Sequence, residues 1–434
     1  MRGLAWSTCV AGTRIMKRQS HSGVRHGRSS QDKLRTAGLA ALFLACDAYS
    51  LVLPERALWI SDALFVVSMT VLLTIGLPVV ARLRLNKAAA ATAVGLAFFL
   101  LAGSVFGHKG VSDFDSYRYV CFTVFIVLAA SLFASAGRQN ARSVSWGLGI
   151  SILIQIAILL WTVVDTRGAG EASPSDSIAM IDYADNAVLA DMYLSTSRIL
   201  GYGAILAACL YHRTKSWAML ATSVGCLLVA LFGGGRGEAL AAFLVVLWVL
   251  PWRRVALVLI PALGCALAIP WVSETITRAA TVRRLGLGLE SIDFAYRDFL
   301  LGQAWHLATL SPQNFLLGTG TNGFQRYYGY EFGMYPHNVL AEALTTAGLG
   351  FALLLAIVLV RLGVRFVRFS RAPGWERVFP AAIGCYVALI ALKSGSLWTN
   401  WLMFASLVLV GAMRGTTIPG SRSQGRRGRR RNRI

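Results

Sequence analysis

Apolar residues in this chain gather into long runs, and polar residues gather in the breaks between them. A helix that crosses a bilayer core about 30 Å thick needs roughly 20 predominantly apolar residues. Twelve runs approach that length: 36–53, 57–80, 88–106, 118–136, 146–164, 195–211, 217–232, 238–252, 255–272, 338–360, 378–393 and 400–413. One such run reads equally well as a buried soluble helix, but 12 in succession do not. The pattern predicts an all-α, polytopic membrane protein with about 12 transmembrane helices and one large amphipathic loop on its outer face. The transmembrane domain is expected over 36–413, between basic tails at 1–35 and 414–434.

Composition agrees with that class. Hydrophobic residues make up 56% of the 434 positions and charged residues 14%, against about a quarter charged in soluble domains. An ordinary soluble enzyme and a disordered chain are both excluded. The net charge of +22, from 42 Lys+Arg against 20 Asp+Glu, would alone point to nucleic acid, acidic lipid or an anionic substrate. Its distribution says something else. With the N-terminus placed inside, the predicted inner segments 1–35, 82–87, 137–145, 212–216, 253–254, 361–377 and 414–434 hold 30 of the basic residues. Their only acids are Asp32 and Glu376. Every inner segment is basic, as the positive-inside rule requires, so both termini are predicted to be cytoplasmic. The remaining 12 basic residues sit among 18 acids.

The C-terminal RRGRRRNR reads as an anchor against anionic lipid. It lacks the interleaved aromatics that stack bases, so no nucleic-acid partner is expected. Leu4 to Gly12 is too short for a signal peptide, and Met16 is an alternative start. The seven cysteines form no CxxC and read as buried thiols.

Two outer loops are long. One, 165–194, is acidic. The other, 273–337, is rich in aromatic and aliphatic residues, and Ile292, Ala295, Tyr296, Phe299, Leu300, Ala304 and Leu307 follow helical spacing. That spacing predicts an amphipathic helix on the outer membrane face.

Three features carry candidate chemistry, all on the predicted outer side. Gly233-Gly234-Gly235-Arg236-Gly237-Glu238 joins two short apolar runs, so its turn should dip into the outer leaflet. An arginine at that depth is costly unless an anion meets it. Pairing with Glu238 is the plain alternative. Arg297 lies on the polar side of the amphipathic helix, four residues after Asp293, where an ion pair is again the simple reading. Tyr335-Pro336-His337-Asn338 opens a membrane helix, which puts His337 at the outer interface. Histidine has an unperturbed pKa near 6.5, suited to proton transfer. No His/Asp/Glu cluster has metal-ligand spacing, so neither a metal nor another cofactor is expected.

GGGRGEAL, YRDFLLGQAWHLA, NFLLGTGTNGF and YPHNVLAEALTTAGLGF, in this order over about 217–360, resemble the shared core of the bacterial O-antigen ligase and O-antigen polymerase superfamily. The family pattern places His-Asn at a helix start with Gly eleven residues after the His, matched by His337, Asn338 and Gly348. Glu342 matches its Gln or Glu, whereas Ala341 and Thr346 depart from its usual Leu and acid. The resemblance implies a metal-independent glycosyltransferase of the bacterial inner membrane. Its donor would be a polyprenyl-diphosphate-linked oligosaccharide and its acceptor a glycan or a lipid core. Arg236 and Arg297 would hold the diphosphate, His337 would assist the acceptor, and Asn338, Glu238 and Glu342 would support them. The residues alone leave open a secondary transporter, with Asp47, Asp62 and Asn400 in or near spans, and a scaffold for polysaccharide export.

Overall fold

The computed structural model describes residues 20–48, 59–76, 114–134, 140–168, 187–232, 236–268, 292–330, 335–370, 374–394 and 400–413, with isolated positions between 78 and 98. Regular structure among them is entirely helical. In chain order the helices are α1 (Ser20–Asp47), α2 (Trp59–Val71, continued by a π-helical turn, Leu72–Gly76), α3 (Phe114–Ala134), α4 (Asn140–Gly168) and α5 (Ala187–Thr214). Then come α6 (Trp217–Phe232), α7 (Arg236–Val249), α8 (Trp252–Ala268), α9 (Ile292–Thr309), α10 (Pro312–Leu317) and α11 (Gly323–Tyr328). The last three are α12 (Val339–Ser370), α13 (Trp375–Ser394) and α14 (Trp401–Ala412).

Among the described residues five segments are long and apolar enough to cross a membrane: Trp59–Gly76, Ala141–Thr162, Leu194–Thr214, Val339–Ser370 and Trp375–Lys393. Four further apolar segments, Cys121–Ala134, Trp217–Leu231, Gly237–Val249 and Trp401–Gly411, are shorter. Large side chains such as Leu153, Leu160, Ile260 and Val360 stand more than half exposed on the outside of the bundle. So much exposed apolar surface belongs in lipid, and the chain is a membrane protein. The predicted run 88–106 falls almost wholly outside the described residues, as do most of the acidic loop 165–194 and the C-terminal tail.

Helix ends differ from the apolar runs. The N-terminal segment 1–35 was expected as a tail, yet α1 already begins at Ser20. α12 continues ten residues past the predicted end at 360. Hydropathy registers where side chains are greasy, whereas a helix propagates through polar residues once its hydrogen bonds are running. The extension of α12 has a use: Arg365 Nη1 donates to the carbonyls of Val410 (2.9 Å) and Met413 (2.7 Å) at the end of α14.

α13 is the hub of the bundle and packs on α4, α5, α7, α12 and α14. The C-terminal half of α1 is buried outright, with Leu39, Leu42 and Ala45 at 0% exposure. Close helix crossings use small residues, as membrane bundles do: a Cβ on Gly38 would stand 2.6 Å from the Gly76 Cα. Buried polar groups meet one another. Asp47 Oδ2 accepts from Gln155 Nε2 (3.2 Å), and Arg198 on α5 lies in the field of both Asp47 and Glu238. The Asp47 weighed as a transport residue is therefore bonded to α4 and lies in the field of a cation on α5.

The helix that carries the histidine motif is broken. Gly348 sits inside α12 at φ 76°, ψ −176°, a conformation that L side chains rarely adopt. The carbonyls freed by the break are met from outside the helix. Thr319 N–H donates to Thr345 O (2.6 Å), Thr319 Oγ1 donates to the same carbonyl (2.8 Å), and Gly320 N–H donates to Thr346 O (3.0 Å). The NFLLGTGTNGF segment thus clamps the break. α10 is started by Ser311, whose Oγ accepts from Asn314 N–H (3.0 Å), with Pro312 in its first turn, and is ended by Gly318 at φ 78°. A Cβ on Gly348 would run into the Leu316 carbonyl, and one on Gly318 into the Thr346 backbone.

Gly348→Ala should therefore lower the unfolding midpoint of the purified protein in detergent by several degrees, since a side chain in this positive-φ, extended-ψ region alone costs about 1–3 kcal/mol. Gly363→Ala, in the same helix with open space around it, should not, because alanine is the better helix former by about 1 kcal/mol. Thermal melts of the two variants side by side test the clamp.

Candidate functional site

Four chain segments converge at one end of the bundle: the start of α12, the end of α13, the start of α7 and the first half of α9. Asn338 organises the meeting. Its Oδ1 accepts from Leu340 N–H (2.9 Å) and Ala341 N–H (3.2 Å), which caps α12. Its Nδ2 donates to the Leu392 carbonyl (2.8 Å), which ties down the last turn of α13. Asn338 is thus a structural tie, and the residues on either side of the tie, His337 and Lys393, are brought together by it.

His337 takes φ 52°, in the left-handed region that histidine visits more readily than bulkier residues. Its ring packs on Tyr335 with centroids 4.5 Å apart. Its Nδ1 is buried and has no hydrogen-bond partner among the described residues. Burial, then the charges of Arg297 and Lys393, push its pKa from the usual 6.5 down to about 4. At neutral pH the imidazole is uncharged and keeps a free lone pair. An unpaired polar atom on a strained backbone is a costly arrangement, and such arrangements cluster at functional sites.

Arg297 is half-buried on α9, and its charge reaches both His337 and Lys393. The side chain of Asp293, its possible i,i+4 partner, lies outside the described residues. α9 buries Leu300, Ala304 and Leu307 as the spacing predicted, but Phe299 is 53% exposed. The buried stripe is narrower than the apolar face, because Phe299 projects away from the protein. The helix is fixed by α11: Tyr328 Oη donates to Gln303 O (2.9 Å) and Tyr330 Oη donates to Gln303 Oε1 (2.8 Å). Between α9 and α12 lies an apolar cavity of about 330 Å³, lined among others by Leu301, Ala304, Trp305, Leu340, Ala341 and Leu344. It begins one turn beyond Arg297 and one turn beyond His337.

Arg236 is the first residue of α7; its side chain and the preceding 233–235 lie outside the described residues. Its neighbours are well placed. Glu238 is completely buried and forms an ion pair with Lys393, Nζ to Oε2 3.2 Å. A Cβ on Gly237 would strike the Lys393 side chain. Glu342 is buried one turn into α12. Asn400, considered for transport, is buried just before α14, and Asp62 lies in the first turn of α2. His306 Nδ1 stands 3.2 Å from Tyr328 Oη, an exposed structural contact. No group of three or more His, Cys, Asp or Glu able to hold a metal occurs among the described residues.

Two residues of this region had no motif to announce them. Lys393 closes the apolar run 378–393, and Arg198 is a lone cation in the run 195–211. The signal available was the charge itself, since an ionisable residue inside a membrane span is functional or structural by default. Known protein families and curated proteins offer no help: no family model matches this chain, and no curated protein matches it.

Chemically, the site offers two cations, Arg297 and Lys393, that share a neighbourhood with a neutral base one helical turn from an apolar cavity. That combination suits a ligand with an anionic head, an apolar tail and a hydroxyl partner to be deprotonated. Because Arg297 holds the imidazolium down, Arg297→Gln should raise the titration midpoint of His337 above about 4, short of 6.5 since burial remains. Ring-labelled histidine NMR, with His337 assigned from the His337→Gln spectrum, measures it; an unchanged or lower midpoint would show that the two groups do not sense each other.

Proposed function

We propose that the chain is a multi-spanning glycosyltransferase of the O-antigen ligase and polymerase type. It would transfer a glycan from a polyprenyl-diphosphate donor to an acceptor hydroxyl at the periplasmic face of the inner membrane. The observation that carries this reading is the buried, unpartnered Nδ1 of His337 within the field of Arg297, one helical turn from an apolar cavity between α9 and α12. The order of the motifs adds to it: three of the four segments that resemble the superfamily meet at this end of the bundle, and the fourth clamps the break in α12. In this reading the chain crosses the membrane about 12 times, with both termini in the cytoplasm, and the site faces outward.

The chemistry follows from the residue types. No nucleotide sugar is available outside the cytoplasm, so the energy of transfer arrives with the donor's own diphosphate linkage. Arg297 and Arg236 bind phosphate oxygens through their guanidinium forks. The acceptor hydroxyl attacks the anomeric carbon while its proton passes to His337. The bond from that carbon to the diphosphate oxygen breaks, and the lipid diphosphate leaves with the electron pair. The configuration at the anomeric carbon is inverted. Charge grows on the departing diphosphate, and the fixed cations stabilise it most when it is greatest. The low pKa of His337 fits this order of events: a bound diphosphate screens Arg297 and raises the imidazole's basicity, so the base strengthens once the donor is in place. The apolar cavity takes the first isoprene units of the lipid. A lipid core as acceptor makes the protein a ligase, and a second lipid-linked repeat makes it a polymerase.

His337→Ala, expressed at normal levels in a strain lacking the native copy, should reduce surface glycan by about 10²–10⁴-fold. Arg297→Ala and Arg236→Ala should reduce it by about 10²–10³-fold. Lipid-linked glycan should accumulate in each strain, as long chains if the protein is a ligase and as single repeats if it is a polymerase. Wild-type surface glycan in the His337→Ala strain would sink the proposal.

A further inference from the structure

We infer that Lys393 is a third cationic ligand of the anionic head group, held for that role by Glu238; this rests on the function proposed above. Lys393 matches none of the motifs that mark the site, and its place follows from geometry alone.

Its ion pair is lopsided. The Glu238 carboxylate is completely buried, whereas the Lys393 side chain is 29% exposed. Nζ lies 3.2 Å from Oε2 and 3.4 Å from Oε1, so the carboxylate approaches one side of an ammonium that has three donors. The same carboxylate also lies in the field of Arg198. Glu238 is thereby shared between a cation deep in the bundle and a cation at its surface. The surface cation points its field at the site: both His337 and Arg297 feel it.

Lys393 is also mechanically fixed. Its methylene stem occupies the space where Gly237 would carry a Cβ. The preceding residue, Leu392, is bonded through its carbonyl to Asn338, the neighbour of His337. Three segments thus set one ammonium group: the start of α7 from below, the cap of α12 from the side, and α13 through its own backbone. An arginine fork gives directed contacts to paired oxygens, while an ammonium is a compact point charge that follows whichever oxygen carries most charge. With Arg297 it would bracket the diphosphate as the sugar departs. Glu238, which touches Lys393 and not the ligand, is a positioning residue.

The test is binding by the full-length protein in lipid nanodiscs, with farnesyl diphosphate and farnesol as probes. Wild type should prefer the diphosphate. Lys393→Met should weaken diphosphate binding by about 10–100-fold and leave farnesol binding unchanged, and Lys393→Arg should stay within about threefold of wild type. Glu238→Gln should weaken diphosphate binding, with the thermal midpoint and farnesol affinity retained. Should Lys393→Met fail to fold because Glu238 is left buried and unpaired, the double variant Glu238→Gln/Lys393→Met removes that charge and should show the same selective loss. Equal diphosphate affinity in wild type and in whichever of these variants folds overturns the role of Lys393. A wild type that binds the two probes equally overturns the function proposed for the site, and the role of Lys393 with it.

Discussion

A backbone carbonyl surrounded by lipid or packed side chains must find a donor, because leaving it unpaired costs several kcal/mol. Helix interiors meet this demand automatically, and helix ends and breaks do not. Here the demand is met from elsewhere in the chain at four places. Asn338 reaches the end of α13, Thr319 and Gly320 reach the break in α12, Arg365 reaches the end of α14, and Arg35 Nη2 donates to Phe133 O (3.1 Å) near the end of α3. A group that completes one helix therefore also sets its distance to another. The candidate site inherits its geometry from the first of these bonds, which lies within one turn of both His337 and Lys393.

Charge is handled by the same economy of position. Asp47, Gln155, Arg198, Glu238 and Lys393 form a polar thread from α1 through α4, α5 and α7 to the end of α13. Buried charges are tolerated when each faces an opposite one. The thread ends at the surface on a cation, and the neutral His337 beside it adds no further charge. The site therefore has an excess of positive field beside an uncharged imidazole.

Much of this was readable from the sequence. The apolar runs located helices α1 to α8 and α12 to α14, the short runs around GGGRGE became the short helices α6 and α7, and the histidine motif did open a helix. The glycine eleven residues beyond His337 has a physical cause in the break it permits. Other features were not legible, for identifiable reasons. Lys393 pairs with a residue 155 positions away, and no local pattern encodes such a pairing. Asn338 looked like part of the chemistry, yet both ends of its amide are spent on backbone groups. Phe299 matched the helical period but turns outward, because in a membrane an apolar side chain is at home on either side of the helix. Hydropathy counts grease and cannot tell a lipid-facing residue from a core one.

The break at Gly348 makes the first part of α12 a lever. Residues 339–347 pack on the α9–α10 layer and, through Val339, Ala343 and Ala347, into the bundle core as well. His337 sits at the tip of this arm, about 16 Å from the fulcrum at 1.5 Å per residue. A change of ten degrees at the glycine, worth about 3 Å at the imidazole by the same helical geometry, would have to break the Asn338–Leu392 bond that pins the tip to α13. Displacements of about 1 Å can already cost an enzyme about 100-fold in rate. The tolerance of the site is thus set eleven residues away, by a position with no side chain.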